Sequence, residues 1–261
     1  MLLSVVIPVW NRADVIVRCI NSVLAQELHD LELIVVDNGS TDATASTVAA
    51  IDDPRMRLLT LESNVGASAA RNAGLAVASG TYVAFLDSDD AFGPRWSQVV
   101  THAVAMDAAV VTCGFAMLDQ YGQWRYDQAC QDMGPALFHL VGPFQAGTFV
   151  ANTALMLACG GYSTELRYSE NTELALRLSK HCHDQSLMTS HVTSRYCSGF
   201  IILSISIWPK PGCARPNFSS RDITTNSPAI APSCCPITRS SGYGMPAVAI
   251  WLGPVSSFGR R

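Results

Sequence analysis

No excess of basic residues marks this sequence. Its formal net charge is −4, so nucleic acid is not an expected partner. No secretory leader is expected either: Met1-Leu2-Leu3-Ser4-Val5-Val6-Ile7 is apolar, but no basic segment precedes it and Pro8 ends the run too soon. The stretch reads instead as a buried strand. Nine cysteines lack regular spacing, and the one adjacent pair, Cys234-Cys235, has no Cys or His cluster to complete a zinc site. Reduced thiols in a cytoplasmic protein are the simpler expectation. No G-x-G-x-x-G follows the first apolar segment, where Pro8-Val9-Trp10-Asn11 stands, so a dinucleotide-dependent oxidoreductase fails on motif placement. The glycine- and lysine-rich first loop usual in nucleotidyl transfer is absent too.

Acidic residues disappear near residue 190. Before that point acids outnumber bases 20 to 10; from His191 onward Asp222 is the only acid, against Lys210 and six arginines. Eight of the 13 prolines and four of the nine cysteines fall in this last quarter, where no long helix can survive. Its one apolar run, Phe200 to Trp208, is far short of the ~20 residues that a membrane span needs. Residues 191–261 are therefore expected to form an irregular tail with little packed structure. A Ser/Pro-rich disordered segment is one explanation, and a reading frame shifted near residues 185–195 is the favoured one.

What is present upstream is regular. Leu2–Pro8 reads as a strand, and Val15, Ile16, Cys19, Ile20, Val23 and Leu24 recur on one face of a helix. Glu32–Asp37 is a second strand, apolar from Leu33 to Val36 as a strand buried on both faces should be. Ser40-Thr41-Asp42 supplies cap chemistry for a helix through Ile51. Met56–Leu61 is a third strand, Ala67–Ala78 an alanine-rich helix, and Thr81–Leu86 a fourth strand. Pro94 is expected to open another helix, and Ala109–Cys113 is a fifth strand. This alternation predicts a Rossmann-like, doubly wound, mostly parallel sheet with helices on both faces and ligands at the carboxyl ends of its strands.

The polar motifs fall at those ends. Asp87-Ser88-Asp89 follows an apolar strand, and carboxylates at i and i+2 can reach one hard divalent cation, Mg²⁺ or Mn²⁺, shared with a substrate diphosphate. Asp37 ends the second strand, where it can accept hydrogen bonds from a base or ribose, and Gly39 permits close backbone approach. Asn64-Val65-Gly66-Ala67-Ser68-Ala69-Ala70-Arg71 sets an arginine on a helix of small residues that can lie close to the sheet. His181 and His183 are weighed against a metal role and set aside. Met106, Met117, Met133 and Met156 are expected in the core, and Trp96 and Trp124 are expected to pack rather than stack on sugar.

Four stretches carry a resemblance: Ser4-Val5-Val6-Ile7-Pro8-Val9-Trp10-Asn11-Arg12, Val35 to Asp42, Asn64 to Gly74, and Phe85 to Asp90. Together, in order and spacing, they resemble family 2 glycosyltransferases over about residues 1–180. The resemblance implies a GT-A fold over residues 1–185, with a nucleotide-sugar half, 1–95, and an acceptor half, 96–185. It implies inverting transfer of a sugar from a nucleotide diphosphate donor to an acceptor hydroxyl. Pro8, Val9, Asn11, Asp37, Asn64, Arg71 and Ser88 fall on the nucleotide-sugar side, and Asp87 and Asp89 on the metal. A lipid-linked or polysaccharide acceptor in cell-envelope synthesis is expected, with a cytoplasmic location; peripheral association at the inner membrane face stays open.

The last motif of that family is an acidic pair after a Gly-Gly-aromatic turn. Here Gly160-Gly161-Tyr162 is followed by Glu170-Asn171, so an amide stands where the resemblance implies the general base. An amide cannot take a proton at neutral pH. Glu170 is the candidate substitute, although adjacent helical residues point in different directions. The competing expectation is a catalytically impaired, nucleotide-sugar-binding remnant of a disrupted gene.

Overall fold

A computed structural model describes residues 1–119, 123–166, 168–192 and 201–204. All of them belong to the first of two compact units, Met1–Pro211; the second unit, Gly212–Arg261, lies outside the described residues, as does most of the expected tail. In chain order the elements are β1 (Leu3–Val9), α1 (Ile16–Leu24), β2 (Leu31–Asp37), α2 (Thr44–Ala49), β3 (Met56–Thr60), α3 (Ala67–Ala76), β4 (Tyr82–Phe85), β5 (Asp90–Phe92) and α4 (Gln98–Ala105). They continue with β6 (Val110–Cys113), β7 (Phe115–Leu118), β8 (Trp124–Gln128), β9 (Gln131–Asp132), β10 (Val141–Gly142), β11 (Phe149–Asn152), α5 (Thr153–Ala158), α6 (Glu170–Asp184), β12 (Thr189–Val192) and β13 (Ile201–Ser204).

Seven strands form the main sheet in the order β12-β6-β11-β4-β1-β2-β3. Every strand but β11 runs the same way; β11 is antiparallel to both β4 and β6. The mostly parallel sheet is the one the sequence implied, but the Gly142-Pro143 and Gly147 turn signals before β11 do not say in which direction the strand re-enters the sheet. Strands β1 and β2 are buried along their whole length because successive side chains enter two cores. Val5 and Ile7 of β1 pack with Ile16, Ile20 and Val23 of α1 and Val99 of α4 on one face. Val6 packs with Ala70 and Leu75 of α3 and Leu174 and Leu178 of α6 on the other. A Cβ added at Gly74 would meet Val6 Cγ1 at 2.4 Å, so this glycine is what lets α3 lie directly on β1.

Four expectations are corrected. Pro94 does not open a helix: residues 94–97 are turns and α4 begins at Gln98. Ser40 and Thr41 do not cap α2, which starts at Thr44; Asp42 Oδ1 accepts from Thr44 N (2.9 Å) instead. Met106 is 42% exposed just past α4, while Met156 is fully buried as expected. The break in composition at 190 is not the edge of the folded chain, because His191 and Val192 pair with β6 in β12. Ile201–Ser204 forms β13 between β5 and β7 in a separate four-stranded sheet. Main-chain pairing does not depend on acid content, and the first proline beyond residue 190 is Pro209, past both strands. Trp96 packs as expected, stacked on Phe92 at 3.6 Å with its Nε1 donating to Gly147 O (2.8 Å); the side chain of Trp124 lies outside the described residues.

The amino ends of the strands are fastened by one buried carboxylate. Glu32 Oε1 accepts from Ser4 Oγ (2.6 Å), Ser79 N (2.6 Å) and Ser79 Oγ (2.7 Å), and Oε2 pairs with Arg57 Nη2 (2.9 Å). Burial alone would raise its pKa, but these hydrogen bonds and Arg57 outweigh it and hold the group below its ordinary value near 4.5. The carboxylate therefore stabilises the fold above that ordinary value, and its contribution disappears as pH falls through the lower folded-state value. Glu32→Gln, whose amide N–H faces Arg57 when its oxygen keeps the three donors, is expected to cost about 1–3 kcal/mol at neutral pH in urea unfolding. The gap from the parent should close as the pH is taken below about 4.5.

Candidate functional site

A cleft of about 300 Å³ opens at the carboxyl ends of β1, β2 and β4. Pro8, Val9, Asn64, Arg71, Asp87, Ser88 and Asp89, all singled out from the sequence, line it. Trp10, Arg12, Asn38 and Ala67 line it as well and were not singled out. Trp10 is 48% exposed directly after a wholly buried strand; the signal available in the sequence was a large aromatic at the end of an apolar run.

Asn11 and Asp37 are placed differently. Asn11 has a left-handed backbone, φ 51°, and its side chain ties two loops together: Oδ1 accepts from Thr41 N (2.8 Å) and Nδ2 donates to Thr41 Oγ1 (3.3 Å). Asp37 is buried and accepts from Ser40 N (3.3 Å), while the next residue, Asn38, reaches the cleft. Asn38 Nδ2 donates to Asn64 Oδ1 (3.0 Å), and Asn38 Oδ1 accepts from Val65 N (2.9 Å), which fixes the loop that leads into α3. Gly39, φ 70°, makes its close approach to the chain itself: an added Cβ would meet Ser63 Cα at 2.6 Å.

Arg71 is the centre of the arrangement. The residue is 3% exposed; Nη2 donates to Asp87 Oδ1 (2.7 Å) and Nη1 to Glu170 Oε1 (3.3 Å). Among the described residues its Nε has no hydrogen-bond partner. Burial works against its charge, but Asp87, Tyr162 and Glu170 outweigh this and raise its pKa further. The guanidinium also lies 5.0 Å from the centre of the Tyr162 ring. Asn72 clamps the backbone of that tyrosine from both sides, donating to Tyr162 O (2.8 Å) and accepting from Tyr162 N (2.8 Å). Tyr162 then donates its hydroxyl to Asn171 Oδ1 (3.3 Å). Both residues of the Glu170-Asn171 pair are thus held from α3, though neither lines the cleft.

The acidic turn is held from α1. Cys19 Sγ donates to Asp87 O (3.4 Å), and Arg18 Nη2 donates to Asp89 O. Burial, followed by the charges of Asp87 and Asp89, pushes the Asp90 carboxyl up to about 9. Asp87 and Asp89 are the residues that could hold a divalent cation. Their oxygen donors suit Mg²⁺ or Mn²⁺, and two carboxylates leave coordination positions for water and phosphate oxygens. Among the described residues no group of three His, Cys, Asp or Glu is assembled, and His183 is stacked on Phe138 at 4.6 Å.

Residues 4–170 match the family model described as Glycosyl transferase family 2. Over 106 residues the chain is 48% identical to the succinoglycan biosynthesis protein ExoO of Rhizobium meliloti, covering 40% of this chain and 30% of that one. Over 89 residues it is 45% identical to the UDP-Glc:alpha-D-GlcNAc-diphosphoundecaprenol beta-1,3-glucosyltransferase WfgD of Escherichia coli, covering 34% and 35%. The chain spans about a third of the length of these relatives. Its fold superposes on that of S. aureus TarS, solved in complex with UDP-GlcNAc, with a TM-score of 0.62 and 21% identity over 80% of this chain and 60% of the other. With the family model matched over more than half of its residues and the GT-A fold in place, this chain belongs to glycosyl transferase family 2.

Proposed function

We propose that this domain transfers a sugar, with inversion, from a nucleoside diphosphate donor to an acceptor hydroxyl in the synthesis of a cell-envelope polysaccharide or glycolipid. The observation that carries this reading is the meeting of Asp87, Asp89 and Arg71 in one cleft at the strand ends. A guanidinium beside two carboxylates that could hold a divalent cation suits a diphosphate that takes on negative charge as its bond to the sugar breaks. A divalent cation bound by Asp87 and Asp89 would neutralise part of that charge. Pro8, Trp10, Asn38 and Asn64 bound the rest of the cleft, where a nucleoside would sit. Uridine diphosphate sugars are the first donors to try, since TarS is solved with UDP-GlcNAc and the name of WfgD specifies UDP-Glc. The same name supports a diphosphate-linked lipid acceptor. No helix among the described residues is long and apolar enough to cross a membrane. Cytoplasmic work at the inner membrane face is part of the proposal.

A second reading rests on Asn171. Its amide oxygen already accepts a hydrogen bond from the Tyr162 hydroxyl, and an amide has no basic site with which to take a proton. In this reading the domain binds donor and turns it over slowly.

Two measurements separate these readings from each other and from error. Calorimetric titration of UDP with and without Mn²⁺ should show cation-dependent binding, weakened at least about tenfold in Asp89→Ala. Equal binding by that variant would remove the cation site. In the second reading, release of nucleoside diphosphate from a donor panel is slow in the parent and rises by about 10²–10⁴ in Asn171→Asp, the usual worth of a positioned base; in the first it is fast in the parent. Fast release in the parent that is lost in Glu170→Gln would instead make Glu170 the base.

A further inference from the structure

We propose that Arg71 couples the cation site to the first turn of α6, so that occupancy of one sets the electrostatic state of the other. The inference rests on the proposed cation site at Asp87 and Asp89 and concerns how that site communicates. One guanidinium is divided between two carboxylates that come from opposite parts of the chain: Asp87, at the end of β4, and Glu170, the first residue of α6. Arg71 is the only partner with which the Glu170 carboxylate forms a hydrogen bond or ion pair among the described residues. The guanidinium is buried and its Nε is unpartnered, so its present pairing leaves one donor unused.

The consequence follows from competition. A cation and Arg71 both seek the Asp87 carboxylate. When the cation takes it, the guanidinium is left to Glu170, and that pairing tightens while α6 is held by its first residue. Reciprocity requires the converse: whatever weakens the hold of Glu170 on Arg71 strengthens Arg71 on Asp87 and so opposes the cation. Arg71 is in this sense a positioning residue. It acts on the acceptor-side helix through Glu170, and on Asn171 through the Tyr162 ring on which it rests. Donor loading would then tighten the acceptor helix before an acceptor arrives.

A double-mutant cycle read by Mn²⁺ binding alone, with no turnover, decides this. Free Mn²⁺ is followed by electron paramagnetic resonance for the full chain and for Glu170→Gln, Arg71→Met and the double variant. Glu170→Gln should weaken Mn²⁺ binding about fivefold or more, within the usual range of a coupling energy. Arg71→Met should tighten it, since the competing cation is gone. In the Arg71→Met background, Glu170→Gln should change the affinity by less than about twofold, the limit expected of independent sites. If Arg71→Met does not fold by circular dichroism, Arg71→Lys replaces it, because an ammonium is a point charge that cannot fork between both carboxylates. An equal effect of Glu170→Gln in both backgrounds would mean simple long-range charge and would overturn the coupling alone. No Mn²⁺ binding by the parent, with or without UDP, would overturn the cation site and the coupling together.

Discussion

A buried guanidinium is the constraint around which the rest of this domain is arranged. Taking a charge out of water costs several kcal/mol unless partners replace the lost hydration. Arg71 meets that requirement with Asp87, Glu170 and the face of Tyr162, and each of these comes from a different element. The need to satisfy one side chain therefore draws the end of β4, the Gly-Gly-Tyr turn and the start of α6 to the same point. Removing any one partner leaves the others facing an under-compensated charge.

Two scaffolds keep that point in place. At the amino ends of the strands, Glu32 joins β1, β2, β3 and the segment before β4 through Ser4, Arg57 and Ser79. At the carboxyl ends, a polar stripe on α1 grips the backbone beyond β4. Arg18 and Cys19 hold the acidic turn, Ser22 Oγ accepts from Phe92 N (3.0 Å), and Gln26 bonds to Gly93 O (3.0 Å) and Ser97 N (2.9 Å). These contacts account for polar residues on a helix whose apolar face is otherwise committed to the core. The acidic turn is thus set by main-chain hydrogen bonds from α1 as well as by its own sequence.

The site residues divide by the range of the forces that place them. Asp87 and Asp89 were legible because they follow an apolar strand, and a strand end in a parallel sheet is a known place for a ligand; Pro8 and Val9 were assigned through the family resemblance alone. Arg71 was legible because a charge among small helical residues stands out. Asn38 was passed over for Asp37 because the sequence does not say which of two adjacent polar residues turns inward at the end of a strand. Asn11 was assigned to the ligand, but it spends its amide on Thr41 because its left-handed backbone turns it toward the neighbouring loop. The antiparallel β11 and the pairing of β12 and β13 beyond the change in composition were not legible. Such partners are chosen by register against distant strands, which local pattern does not encode.

By itself, then, the sequence determined the alternating strands and helices, the mostly parallel sheet, the end of the sheet at which chemistry would sit, and the amide at Asn171. Those features follow from periodicity and residue type, which act over a few positions along the chain. Only the tertiary structure decided that Asp87 and Glu170 share one arginine across 83 residues of sequence. It alone turned Asn171 toward Tyr162 and left Glu170 and Asn171 off the lining of the cleft. The physical reason is that a buried charge selects its partners by distance in space, and burial exists only once the sheet and its helices have closed over it.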